Sequence, residues 1–315
     1  MASIGNWSFI PLVSAFPTTV FPNIALWNVT NAVTDLTYQI EISWPFEWGS
    51  SPPEDVSNKT ALTMYVVDGN ALGMTASEGF KRRKPVASTQ PDSVVVSIGY
   101  PLTDNVYALN RRVTDFRPPL PTPQVPPSGA DPFIEFIDGA LRPWVRSTVF
   151  PGVSFMRDAL YGHSFGGLFV IYALISHPSM FDTFLSASPA ITWNNGSIRD
   201  DVSSFSKLGN HGKKKCHDFK LGKGKSLTSQ PAFVVSYGTL EQFPVKRRTE
   251  TEEEYEARKA FYAPFKMTDY CKDLYRRLKG SCELRDVVLK EYAGQDHSSV
   301  GASALNDGIE YFVDW

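Results

Sequence analysis

The stretch from Asp158 to Ile175 constrains the fold more than any other part of the sequence. A short apolar run reaches Gly162, and Ser164 follows after one intervening residue. Gly166 and Gly167 come next, and an uninterrupted apolar segment then continues to a stop at His177 and Pro178. This order predicts a buried strand, a sharp turn and a buried helix, in the pattern G-x-S-x-G.

The glycines of this turn make Ser164 a candidate nucleophile. Gly162 and Gly166 carry no side chains that would collide with the adjacent strand and helix, so the serine hydroxyl can rise above the sheet. The same turn places the amide of Phe165 at a helix N-terminus, where it can stabilise a developing negative charge. We therefore predict that Ser164 is the nucleophile and that the Phe165 amide is an oxyanion donor. The alternative is a tight turn with an unreactive serine.

A serine hydroxyl needs a base, and His297 is the best placed of the five histidines. It lies in a loop between the last predicted strand and the terminal helix, where the chain order serine, acid, histidine puts the base. His163 is adjacent to Ser164, and we give it little weight because neighbouring side chains in such a turn point in different directions. A solvated loop histidine without a role is the alternative for His297.

The acid should come between the serine and the histidine in sequence. Glu241 follows the predicted strand at 231–237 and is our candidate, with an ordinary surface glutamate as the alternative. Asp296 is adjacent to His297 and so poorly placed to hold its ring. A serine–histidine pair steadied by a backbone carbonyl would need no carboxylate at all.

A second oxyanion donor is predicted in the loop Asp68–Leu72, after the first buried strand. Gly69 allows the chain to turn close to the serine, and the amide of Asn70 could then join that of Phe165. An ordinary Asp-Gly turn explains the same residues equally well.

Strand and helix patterns alternate along the chain. Short Val-rich runs at 61–67 and 93–100 are typical of strands buried on both faces of a parallel sheet, and the segment 35–44 alternates like an antiparallel strand. Further strands are predicted at 158–161, 182–187, 231–237 and 284–292, and helices at 132–146, 165–176, 251–277 and 303–314. This order predicts an α/β-hydrolase fold with a mostly parallel central sheet flanked by helices. We expect a single domain over 1–315, with loop insertions at about 118–130 and 207–228.

Composition excludes some classes of protein. The net charge of −2 gives no electrostatic reason to expect nucleic acid or an anionic membrane as the partner. No apolar run is long enough to span a bilayer, and the N-terminus does not resemble a signal peptide, so we expect a cytoplasmic protein. Three cysteines without C-x-x-C spacing suggest neither a disulfide framework nor a zinc site. The second insertion is rich in lysine between residues 207 and 225. It is either a solvated loop or a basic rim for an anionic ligand.

With these pieces in place, the chain resembles the esterase D-like branch of the α/β-hydrolases, and within it the fungal siderophore esterases. The matching segments are Tyr65–Ala71, Val96–Tyr100, Asn110–Phe116, Gly162–Gly167, Ser186–Trp193 and Gly294–Ser299. The resemblance implies a serine carboxylesterase, without a metal or organic cofactor, that hydrolyses a fusarinine C or triacetylfusarinine C type of hydroxamate siderophore to release iron inside the cell.

The resemblance also assigns residues. It makes Ser164 the nucleophile, His297 the base, Glu241 the acid, and the amides of Asn70 and Phe165 the oxyanion hole. It implies that Arg112 and Trp193 face the substrate pocket, although the residues alone favour pairing of Arg112 with Asp115 over a ligand carboxylate.

The alternatives to this function are another ester or thioester hydrolase, such as an S-formylglutathione hydrolase or a secondary-metabolite acyl esterase, and a non-catalytic relative that only binds its ligand. The predicted partner is a small-molecule ester. The sequence does not decide its iron loading or the oligomeric state of the protein.

Overall fold

The computed structural model describes residues 2–11, 21–49, 56–123, 125–208 and 230–314, which belong to two compact units. The first unit comprises Met1–Tyr161 and Leu305–Trp315, and the second comprises Gly162–Ala304. The expectation of a single domain stays a prediction. Most of the predicted insertion at 207–228 lies outside the described residues.

The first unit contains a mixed sheet of the strands β1 (Ala2–Ile4), β2 (Trp7–Pro11), β3 (Ile24–Asn31), β4 (Thr37–Ser43), β5 (Lys59–Val67), β6 (Ser93–Gly99) and β7 (Val153–His163), the last two residues of which belong to the second unit. The neighbour order is β1-β2-β3-β4-β6-β5-β7. The sheet is antiparallel from β1 to the β4–β6 pair and parallel from β6 through β5 to β7. The Val-rich runs form β5 and β6, as predicted.

The α-helices that begin in the described part of the first unit are α1 (Gly69–Arg83), α2 (Leu109–Asp115), α3 (Ala130–Phe136) and α4 (Arg142–Trp144), with π-helical turns at Ile137–Leu141 and Val145–Val149. The sequence did not predict α1, because its three glycines lower helix propensity. Packing overrides that preference, since a Cβ at Gly69 would lie 2.8 Å from the backbone nitrogen of Ile98 in β6. The proline-rich stretch before α3 has no regular structure in its described residues, as predicted.

The second unit has the parallel strands β8 (Thr183–Ala187), β9 (Ala232–Gly238) and β10 (Asp286–Tyr292). Its helices are α5 (Phe165–Ser176), α6 (Ile198–Leu208), α7 (Glu252–Tyr262), α8 (Met267–Leu278) and α9 (His297–Val313), of which the residues from Leu305 on belong to the first unit. Helix α5 is apolar on nearly every face and correspondingly buried. The predicted alternation of strands and helices is thus confirmed.

Two helix boundaries differ from prediction. The expected helix at 251–277 is divided by a 3-10 turn, Ala263–Phe265, because Pro264 disfavours continuation and Lys266 adopts a φ of 46°. Helix α9 begins six residues earlier than expected, at His297 rather than at 303, because Asp296 caps its first turn.

The cysteines also differ from expectation. Cys282 is disulfide-bonded and Cys271 is free and buried, whereas the spacing in the sequence suggested no disulfide. Pairing depends on which residues the fold brings together, and spacing alone does not reveal it. In the ranges given above, no helix combines the length and apolarity needed to cross a bilayer.

Candidate active site

Ser164 lies at the turn between β7 and α5, in a backbone conformation that residues with side chains rarely adopt. Its φ is 60° and its ψ is −118°. Hydrogen bonds hold this strained turn in place: the Ser164 amide donates to the carbonyl of Ala187, and the Ser164 carbonyl accepts from the amides of Leu168 and Ala190, each at 3.0 Å. Gly167 permits the close approach, because a Cβ there would lie 2.8 Å from the Ala187 oxygen.

Glu241 and His297 form a close pair in the second unit. The Nδ1 atom of His297 lies 2.6 Å from Oε2 of Glu241, which is 2% exposed. The other carboxylate oxygen accepts hydrogen bonds from the Ser188 hydroxyl at 2.6 Å and from the Gly238 amide at 2.7 Å. Both carboxylate oxygens are therefore occupied, which fixes the carboxylate and directs Nδ1–H of the imidazole toward it. This tautomer leaves Nε2 able to accept a proton.

Sequence reasoning missed the role of Ser188. This residue is fully buried with a φ of 41°, and its amide donates to the carbonyl of Ser236 at 2.8 Å. It follows the C-terminal end of β8, beside β9 and Glu241. The available signal was its position, because the carboxyl ends of neighbouring parallel strands gather at one edge of a sheet.

His163 packs against His297, although we gave it little weight from the sequence. The two ring centroids are 4.5 Å apart with an interplanar angle of 40°, and His163 is 5% exposed. Gly301, one helical turn after His297, makes room for this ring: a Cβ there would lie 3.3 Å from Cγ of His163. The imidazole of His297 is thus held by a carboxylate at one atom and by a buried ring beside it.

Asp296 has a different role from Glu241. Its Oδ1 accepts hydrogen bonds from the amides of Ser298 and Ser299 at 3.1 Å each, and Oδ2 lies 2.8 Å from a guanidinium nitrogen of Arg247. Burial acts to raise the pKa of Asp296, but the hydrogen bonds from Ser299 and Arg247 outweigh it and leave the pKa below its usual value. Asp296 is therefore the N-cap of α9.

One cavity of about 440 Å³ brings most of the predicted site together. Five of the residues that line it were predicted from the sequence: Ser164, Phe165, Trp193, Glu241 and His297. Apart from Thr192, the rest of its wall is apolar or aromatic, and the remaining lining residues are Ala190, Thr192, Phe261, Tyr262, Phe265 and Met267. A hydroxyl and an imidazole that open into one apolar cavity can support acyl transfer.

Asn70 and Arg112 belong to the first unit. Asn70 lies in the first turn of α1, and its side chain binds the backbone nitrogen and oxygen of Tyr100 at 2.7 and 3.0 Å. Arg112, in α2, makes a buried two-point contact with Asp68 at 2.8 and 2.6 Å. The roles of Asn70 as an oxyanion donor and of Arg112 in substrate binding stay predictions.

The expected pairing of Arg112 with Asp115 is wrong. Asp115 pairs with Arg111 at 2.8 Å instead and accepts a hydrogen bond from the Tyr38 hydroxyl at 3.0 Å. Arg111 lies four residues before Asp115 on the same face of α2, while the guanidinium of Arg112 is held by Asp68.

Comparison with known proteins places the chain among esterases. Residues 52–265, about two thirds of the chain, match the putative esterase family. The chain is 38% identical to a siderophore enterobactin esterase of Emericella nidulans over 97% of each protein. It is 37% identical to a siderophore triacetylfusarinine C esterase of Aspergillus fumigatus over 88% of this chain and 89% of that protein.

A solved structure agrees with these relatives. The siderophore hydrolase EstB from Aspergillus nidulans superposes with a TM-score of 0.83 at 35% identity, covering 96% of this chain and 99% of that one. The predicted α/β-hydrolase fold is thereby confirmed.

Proposed function

This chain belongs to the putative esterase family, and we propose that it hydrolyses ester bonds of a siderophore, an ester-linked iron chelator. The observation that carries the proposal is the pair formed by His297 and the buried Glu241, which opens with Ser164 into one cavity. The near-full-length similarity to two siderophore esterases supports the choice of substrate class. A carboxylic ester hydrolase needs the nucleophile, base and acid that these three residues offer.

In the proposed mechanism, the Ser164 hydroxyl attacks the ester carbonyl while Nε2 of His297 takes its proton. Glu241 holds the ring and stabilises the imidazolium that forms. The Phe165 amide at the start of α5 stabilises the oxyanion, with the Asn70 amide as the proposed second donor. His297 then returns the proton to the leaving alcohol oxygen, and a water molecule, deprotonated by the same imidazole, cleaves the acyl-serine ester.

We take a hydroxamate siderophore of the triacetylfusarinine C type as the first candidate substrate. Enterobactin is the second candidate, because the relative that covers 97% of this chain is named for that ester. We place the reaction in the cytoplasm, where cleavage of an imported ferric ligand would release its iron. Fractionation of cells should recover the protein with cytoplasmic markers, and recovery with secreted or vacuolar proteins would contradict that location.

The test of function is product analysis by mass spectrometry with purified wild-type protein and Ser164→Ala. The panel contains triacetylfusarinine C and enterobactin, each with and without iron, together with S-formylglutathione and an acetylated phenol. We expect the wild type to open one of the siderophores at its ester bonds, and S164A to leave all of them intact while keeping its circular dichroism spectrum.

Two outcomes would favour the alternatives. Turnover of S-formylglutathione with no cleavage of any siderophore would identify the protein as a thioester hydrolase. Binding of a siderophore without turnover of any ester would identify a non-catalytic relative.

A further inference from the structure

The segment between β9 and α8 forms a cap, residues 242–266, that contains a helix without a buried residue. Helix α7 is stabilised locally by a capping box between Thr251 and Glu254 and by the ion pair of Arg258 with Glu250 at 2.5 Å. The Tyr255 hydroxyl adds a hydrogen bond to the carbonyl of Pro244 at 3.1 Å. The cap thus holds its shape through polar contacts, and its apolar side chains are left available for other contacts.

Polar contacts also attach the N-terminal part of the cap to the rest of the second unit. Gln242 exchanges two hydrogen bonds with Asp269 at 2.7 and 3.0 Å. Arg247 pairs with Asp296, the residue directly before His297, at 2.8 Å. The cap is therefore fixed beside the catalytic histidine rather than attached only by a loop.

Aromatic side chains of the cap form one wall of the active-site cavity. Phe261 and Phe265 have ring centroids 5.4 Å apart, and both line the cavity that contains Ser164 and His297. Phe261 is nonetheless 63% exposed and Phe265 is 38% exposed. Removing a large apolar surface from water is favourable in free energy, and a ligand bound in the cavity would cover these two rings.

The cavity is suited to an uncharged group. Among the described residues that line it, Glu241 and His297 are the ones that can carry charge near neutral pH, and they are bonded to each other. An acetyl group is about the size of two water molecules, which together occupy only about 60 Å³. It would therefore fill a small part of the 440 Å³ cavity. A larger flat acyl group would contact both phenyl rings.

We propose that Phe261 and Phe265 are specificity-determining residues that pack against the acyl group of the ester and favour a large unsaturated or aromatic acyl group over acetyl. This inference rests on the proposed esterase function. In this arrangement the acyl group of the scissile ester binds in the cavity, and the remainder of the chelator lies outside it.

The test compares kcat/KM for p-nitrophenyl benzoate and p-nitrophenyl acetate, which share a leaving group, in the wild type, Phe261→Ala and Phe265→Ala. Phe243→Ala is the matched control, because Phe243 is 60% exposed in the same cap but is not among the residues lining the cavity. We expect F261A and F265A each to lower the benzoate-to-acetate ratio about tenfold or more. The fall in the ratio should come mainly from a lower benzoate rate, and Phe261→Tyr should retain the wild-type ratio.

An unchanged ratio in both F261A and F265A would overturn the inference, as would an equal loss in F243A. Because both rings are exposed, we expect the variants to fold, and their melting temperatures check this. Turnover of both model esters with no cleavage of any siderophore would contradict the proposed substrate while leaving the aromatic wall testable by the same ratio. Cleavage of a siderophore with turnover of neither model ester would overturn this inference and leave the proposed function intact.

Discussion

At the scale of single residues, the carboxylate of Glu241 is the group that fixes the orientation of the His297 imidazole. Its Oε1 is tied to Ser188 and Gly238, so Oε2 has one orientation available, toward Nδ1 of the imidazole. The sequence predicted Ser164, Glu241 and His297 because each occupies a recognisable place in a local pattern. Ser188 and His163 were beyond that reasoning, since their importance depends on which residues lie next to them in space.

Replacing Glu241 with Gln tests the identity of the acid. The amide cannot accept the Nδ1 proton as a carboxylate does and cannot stabilise the imidazolium, so we expect kcat to fall about 10²- to 10⁴-fold. Asp296→Asn is the control. Asparagine can cap α9 in the same way, so its kcat should stay within about threefold of the wild type. Steady-state kinetics with an activated ester measures both, and a larger loss in D296N than in E241Q would contradict the assignment.

At the scale of elements, helices and strands were predictable wherever burial alone determined them. The Val-rich runs of β5, β6 and β9 and the apolar run of α5 are buried almost throughout, and a continuous apolar pattern reveals such elements. Helix α1 was missed because tertiary contacts with β6 decide it. The division between α7 and α8 was missed because a single positive φ at Lys266 decides it. The cap was missed for the related reason that α7 has no buried face.

Gly301→Ala tests whether the packing of α9 against His163 matters for catalysis. The added Cβ would lie 3.3 to 3.5 Å from ring atoms of His163, which is buried against His297, so the two rings must shift by a few tenths of an ångström. We expect kcat to fall severalfold with little change in KM. The substitution should not weaken the helix itself, because alanine is favoured over glycine there by about 0.5–1 kcal/mol. A wild-type kcat in a correctly folded G301A would show that the ring contact has no catalytic role.

At the scale of the whole molecule, buried carboxylates in the first unit make stability depend on pH. Burial raises the pKa of Glu41 to about 7, with Lys81 opposing the shift only in part, and burial raises the pKa of Asp115 to about 6 despite Arg111. Both groups bind protons more tightly in the folded chain than in the unfolded one. Their contribution to stability is therefore fully present below about pH 4 and is lost as the pH rises through 6 and 7.

Glu41→Gln isolates this effect. Glutamine resembles the protonated glutamate, so E41Q should be more stable than the wild type at pH 8, by on the order of 2–3 kcal/mol, and nearly equal to it at pH 4. Urea unfolding of both proteins at the two pH values measures the difference. Equal stabilities at pH 8 would show that the ionised Glu41 is not destabilised by its surroundings.

We propose that Ser164 is an activated nucleophile, and covalent labelling followed by peptide mass spectrometry tests this role most directly. Treated with a fluorophosphonate, the wild-type protein should gain one probe per chain, on the peptide that contains Ser164, while Ser164→Ala should gain none. His297→Ala should react at least 100-fold more slowly, because without its base the hydroxyl is a weak nucleophile. Labelling of S164A at the wild-type rate, or no labelling of the wild type at all, would contradict this account.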